Sequence, residues 1–187
     1  MRKAGHEAWS CDIQDDRNGS PYHLKMCAFQ AIAMNGGYWW DLIIMHPPCD
    51  GLAVSGNRHY GKGKPKHKER LQAIKWTTEL WDHARAHCDH VAMENPVGVL
   101  PFKPSQYIQP WQFGHGETKK TGLWLHGLPC LTPTKIVEGR EQAVWKMGPS
   151  PTRKRDRSKT YEGIAQAMVK QWHNAGAFPV MLEEEEK

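Results

Sequence analysis

Two stretches set a reactive side chain directly after an apolar run and beside proline. DLIIMHPPCD over residues 41–50 leads to Cys49, and VAMENP over residues 91–96 carries Glu94. A thiol becomes a nucleophile once deprotonated, and a carboxyl held in apolar surroundings keeps its proton and can serve as an acid. Together they are equipment for attack on an electrophilic carbon with a proton supplied nearby. Each also has a plainer reading. Cys49 can be an ordinary buried thiol at a strand end, and Glu94 a structural hydrogen-bonding group.

The elements that would position them follow from pattern. Leu42, Ile43, Ile44 and Met45 suit a central strand of a sheet covered on both faces, where side chains pointing either way are apolar. His46-Pro47-Pro48 cannot continue the ladder, because proline has no N–H and restricts the residue before it. Cys49 is thus delivered to the carboxyl end of the strand, where open α/β sheets bind ligands. Val91, Ala92 and Met93 form a second short strand, and if it runs parallel beside the first, Glu94 stands beside Cys49. Between them lies a glycine-rich basic loop over 51–68, a candidate lid or substrate-contacting segment. A helix over 67–88 follows, with Leu71, Ile74, Trp81, Ala84 and Cys88 at three- and four-residue steps.

Earlier in the chain, residues 7–13 read as a strand ending on Asp12, and residues 24–34 as a helix closed by Asn35-Gly36-Gly37. An acid at such a strand end binds ribose hydroxyls in nucleotide-type cofactors, but it can equally cap the next turn. Later, Lys119 and Lys120 precede a strand over 122–125 and could approach a phosphate or base. Tyr161, Ile164, Ala165, Met168, Val169 and Trp172 form the apolar stripe of a closing helix that ends near Gly176.

With 187 residues, the chain reads as one α/β domain over 1–176 with a flexible acidic tail over 177–187. A net charge of +5 permits a polyanionic partner without demanding one. The basic residues cluster: Lys62, Lys64, Lys66, Lys68 and Arg70 in one run, Arg153, Lys154, Arg155, Arg157 and Lys159 in another. Folded onto one face they would track phosphates; separately they are solvated loops. No secretory leader is recognised and no run is apolar enough to span a bilayer, so a cytoplasmic setting is expected. Five scattered cysteines without a CxxC pair indicate neither disulfides nor structural zinc. His83 and His87 share a helix face, but no second ligand pair stands at zinc spacing, so no metal is expected.

The phrases HPPC, VSGNR, ENPVGVL, IQPWQFGHGETKKTGLWL and TYEGIAQAM resemble the small phage- and prophage-type relatives of the cytosine-C5 DNA methyltransferases. The resemblance covers roughly residues 5–172, and the ordered pair PPC and ENP is its most specific part. It implies a Rossmann-like, S-adenosylmethionine-dependent methyltransferase sheet with helices on both faces. It further implies that Cys49 attacks C6 of a flipped cytosine and that Glu94 protonates or hydrogen-bonds N3. Lys119 is the nearest counterpart of the family's cation, and the cofactor would lie against Asp12, Ile13, Cys27 and Pro47. DNA would meet Lys62, Lys64, Lys66, Arg153, Arg155 and Arg157. The family's first strand and glycine-rich turn are not found, nor an acid near Met26-Cys27, nor a separate target-recognition domain. The expectation is that either the sequence starts late or a second copy or a partner chain completes the sheet. The alternative is a catalytically silent DNA-binding or interaction protein built on the same fold. An unrelated cysteine hydrolase lacks a base tied to Cys49 by sequence.

Overall fold

The computed structural model describes residues 1–34, 40–148, 150–151, 157 and 160–173. In chain order the elements are β1 (Ser10–Asp12), β2 (His23–Lys25), α1 (Ala28–Ile32), β3 (Ile43–Met45), α2 (Asn57–Tyr60) and α3 (His67–His87). They continue with β4 (Val91–Pro96), β5 (Gln106–Ile108), β6 (Thr121–His126), α4 (Ala143–Lys146) and α5 (Glu162–Trp172). The chain is mixed α/β, with a two-stranded sheet β1-β2 and a four-stranded sheet in the order β3-β4-β6-β5.

Strand alternation decides the layering of the larger sheet. Ile43, Met45, Val91, Met93 and Trp124 point to one face, where Leu80, Trp81 and Ala84 of α3 and Ile32 of α1 cover them. Leu42, Ile44, Ala92 and Leu123 point to the other and meet Ile164, Ala167, Met168 and Trp172 of α5. Met93 and Leu123 retain no exposed surface, and each such burial stabilises by about 2 kcal/mol. The buried indoles find acceptors: Trp124 Nε1 donates to Phe102 O at 3.1 Å and Trp172 Nε1 to Pro129 O at 3.0 Å. β3 runs parallel to β4, while β6 is antiparallel to both β4 and β5.

Several expectations change here. The apolar run around Ile43 is covered on both faces as read, yet β3 is an edge strand of the described sheet rather than its centre. The strand expected over 7–13 contracts to Ser10–Asp12 and pairs parallel with β2 in the separate two-stranded sheet. Leu24 lies in β2 and not in a helix, because cross-strand bonds such as Met26 N–H to Asp12 O at 3.1 Å hold that stretch extended. The helix begins only at Ala28, and its expected closure at Asn35-Gly36-Gly37 lies outside the described residues.

Pro96 does not end β4 early. Antiparallel pairing with β6 continues through Glu94, Asn95 and Pro96, so Glu94 sits within the strand rather than past its end. The basic loop after Cys49 is partly structured, with a short 3₁₀ turn at Val54–Gly56 and then α2. Leu52 within it is fully buried, which fastens its first residues and leaves the lid reading without support there. Arg70 is buried and therefore does not belong to an exposed basic run. α3, β6 and the start of α5 fall where they were expected; the expected helix end near Gly176 and the tail over 177–187 lie outside the described residues. The strand β5 and the helix α4 were not anticipated, both being too short to show a period.

Candidate active site

The turn that carries Cys49 is held from two sides. Asn95, nearly free of solvent exposure, donates from Nδ2 to Pro47 O at 3.0 Å. On the other side the amides of Leu52 and Ala53 donate to Cys49 O at 3.1 and 2.9 Å. Arg70 reaches in from α3 and donates Nε to Gly51 O at 2.7 Å, Nη1 to Asn57 Oδ1 at 2.7 Å and Nη2 to Ala53 O at 3.2 Å. A buried guanidinium satisfied by three acceptors of one loop fixes that loop's backbone. The chain packs so closely that a Cβ on Gly98 would lie 2.7 Å from Leu52 O.

The parallel register sets the residue after β3 against Glu94. Met45 pairs with Met93, so the following residues meet side by side: His46 Nδ1 lies 3.1 Å from Glu94 Oε2. Cys49 is half-buried. Burial pushes its thiol up, Asp50 adds to this, a backbone hydrogen bond opposes it, Glu94 raises it further and Lys119 lowers it. Both Glu94 and Lys119 are therefore close enough to act electrostatically on the sulfur.

Lys119 owes its place to a small network between the segment before β6 and the start of α5. Its amide donates to Gln109 Oε1 at 3.0 Å, and its ammonium lies 5.9 Å from the Tyr161 ring centroid. Tyr161 donates its hydroxyl to Glu117 Oε2 at 2.6 Å. Burial and the Glu117 carboxylate push that phenol far above its ordinary range. The amide of Gly163 donates to His115 Nε2 at 3.0 Å, supplying a partner for one of the orphan N–H groups in the first turn of α5. Position 163 must be glycine, since a Cβ there would overlap the Phe113 carbonyl oxygen.

A cavity of about 890 Å³ opens along β3 between the amino-terminal segment and α5. Glu7, Trp9, Trp40, Asp41, His46 and Trp172 contribute to its wall. Its His46 end adjoins the Glu94 carboxyl. The residues expected to contact the cofactor are not part of this wall: Asp12 and Cys27 are exposed on the smaller sheet and at the start of α1, Ile13 is 72% exposed, and Pro47 is buried under Asn95. The Asp12 carboxylate accepts the Gln14 amide at 2.9 Å, which is the turn-capping alternative. The physical reason is that β1 pairs with β2 instead of extending the larger sheet.

Lys62, Lys64 and Lys66 are exposed, with Lys66 Nζ 3.6 Å from Glu69 Oε2. Arg157 is half-buried, and Arg153 and Arg155 lie outside the described residues. His83 and His87 are used within the fold: His83 Nε2 contacts Phe29 O at 3.0 Å and His87 Nδ1 contacts His83 O at 2.8 Å. No group of three metal-ligating side chains occurs among the described residues. Nor is any helix among them long and apolar enough to cross a membrane.

The site also contains groups that pattern reading passed over. His46 was visible only as part of HPPC, Asn95 only as part of ENP, and Arg70 carried no signal distinguishing it from its basic neighbours. No family model and no curated protein sequence matches the chain.

Proposed function

We propose that the chain is a DNA cytosine-C5 methyltransferase of Rossmann-like architecture that works through a covalent cysteine adduct. What supports the reading is the parallel pairing of β3 with β4, which sets His46, on the turn that leads to Cys49, 3.1 Å from Glu94, with Glu94 and Lys119 both acting on the Cys49 thiol. Cys49 attacks C6 of an extruded cytosine, and Glu94 protonates N3 so that no negative charge accumulates on the ring. Lys119 favours the thiolate that makes the attack. Since burial and two carboxylates oppose ionisation of Cys49, the nucleophile is mostly a thiol at neutral pH and reacts faster as pH rises.

The wall of the β3 cavity suits S-adenosylmethionine in its chemistry, though through other residues than the resemblance implied. Trp9 and Trp40 present aromatic surface to an adenine or a sulfonium, and Glu7 and Asp41 present carboxylates to ribose hydroxyls or an ammonium group. Trp9 Nε1 donates to Glu7 Oε1 at 3.2 Å, which orients that carboxylate. The cofactor supplies an electrophilic methyl group for C5 when bound. On this reading the exposed lysines Lys62, Lys64 and Lys66 contact DNA phosphates, and the protein acts on DNA in a bacterial cytoplasm as a phage or prophage product. The open edge of β3 is where a second copy or partner strand would add to the sheet.

A specific observation supports the second reading, a silent DNA-binding protein. Asp12, Ile13 and Cys27 face outward and do not converge on one cofactor site. Incubation with methyl-labelled S-adenosylmethionine and duplex DNA separates the two, with calorimetric titration of the cofactor run in parallel. Label transferred to DNA by the wild type and lost in Cys49→Ala supports the enzyme. DNA binding without cofactor binding or transfer leaves the silent protein.

A further inference from the structure

His46 stands where the β3–β4 ladder ends, with Nδ1 3.1 Å from Glu94 Oε2. The two side chains differ in access. Glu94 is only 17% exposed, whereas His46 is 47% exposed and forms part of the cavity wall, which Glu94 does not. The imidazole thus links an enclosed carboxyl to open space. A solvated carboxylic acid is ionised at neutral pH and has no proton to give. Imidazole titrates near neutrality, so a histidine bonded to that carboxyl can hold the proton for it.

We propose that His46 is a proton-supplying and positioning residue for Glu94, forming a relay from the cavity to N3 of the cytosine; this rests on the cytosine reading above. As the bond from Cys49 Sγ to C6 forms, the C5–C6 π electrons shift toward C4 and the C4–N3 π electrons move onto N3. Glu94 takes the Nδ1 proton of the His46 imidazolium and passes it to N3, leaving a neutral imidazole and an ionised carboxylate. C5 of the adduct takes a proton from water and gives one up to water, which is how tritium leaves. The C4–C5 π electrons then return to C5–C6, the S–C6 electron pair returns to sulfur, and N3 gives its proton back by the same route. No proton is consumed over the cycle. Around the pair stand Cys49 and Asp50 on the same turn, Lys119 acting on Cys49, and His6, Glu7, Asp41 and His173 on the cavity wall.

The adduct makes C5 exchangeable with water even without a methyl donor, so the relay can be read without cofactor. The assay is release of tritium from duplex DNA carrying it at cytosine C5, measured as a function of pH. The wild type gives a bell-shaped profile, rising with thiolate formation at Cys49 and falling as the relay loses its proton. His46→Asn and His46→Gln keep a polar side chain but cannot pass the proton. Both lower release at neutral pH by about a hundredfold and move the falling limb to lower pH. Adding Glu94→Gln to His46→Asn lowers it by less than about threefold more, because residues that act as one unit are not additive. Wild-type rate and profile in both His46 variants, with release still abolished by Cys49→Ser, overturns the relay and leaves the cytosine reading standing. No release from the wild type overturns the cytosine reading and the relay with it.

Discussion

A thiol that is half-buried beside two carboxylates gives up its proton reluctantly; a backbone hydrogen bond and, less strongly, Lys119 counter them. Alkylation of Cys49 by iodoacetamide, followed by peptide mass mapping, reads this directly. The rate should be low at neutral pH and keep rising above the ordinary thiol range, because the folded thiol's pKa is raised and only the thiolate reacts. Lys119→Met should slow the reaction at a given pH, and Asp50→Asn should speed it. A Lys119→Met rate equal to the wild type at every pH would remove Lys119 from the site. The parallel placing of the segments that carry Cys49 and Glu94 was legible in the sequence because each follows a short apolar run and stands beside proline. The His46–Glu94 contact was not, because it depends on which residues of β3 and β4 stand opposite each other, and a one-residue slip would turn every side chain to the other face.

At the scale of elements, two fastenings hold the site's parts in place. Arg70 ties α3 to the loop after Cys49 through three hydrogen bonds to uncharged acceptors. Arg70→Met leaves those buried acceptors unmet and should destabilise the protein by about 2–4 kcal/mol in urea unfolding. A change under about 0.5 kcal/mol would show that the loop stands without it. Gly163 is the second fastening. Gly163→Ala forces apart α5 and the Phe113 carbonyl and should cost about 1–3 kcal/mol. It should also slow Cys49 alkylation, since Lys119 moves with that segment, whereas an unchanged rate would uncouple the two.

α3 and α5 were readable because long amphipathic periods survive without tertiary help. Leu24 was not, because its extended conformation comes from pairing with β1, a non-local contact that overrides a short helical pattern. Nor could the sequence tell Arg70 from Lys68. Only folding shows that one arginine of a basic run turns inward.

For the molecule as a whole, the sheet with α3 on one face and α5 on the other places the Cys49 turn and the β3 cavity side by side. If the exposed lysines track a phosphate backbone, DNA affinity should fall steeply with salt. Lys62→Gln, Lys64→Gln and Lys66→Gln combined should flatten the log–log slope by about 0.9 for each phosphate contact removed. An unchanged slope would move the DNA path to another surface. The central claim is covalent attack by Cys49 on cytosine, and release of tritium from cytosine C5 of duplex DNA tests it without requiring the cofactor. The expected result is release by the wild type, none by Cys49→Ser and a large loss in Glu94→Gln. Equal release by wild type and Cys49→Ser, or none from a wild type that demonstrably binds the DNA, would contradict it.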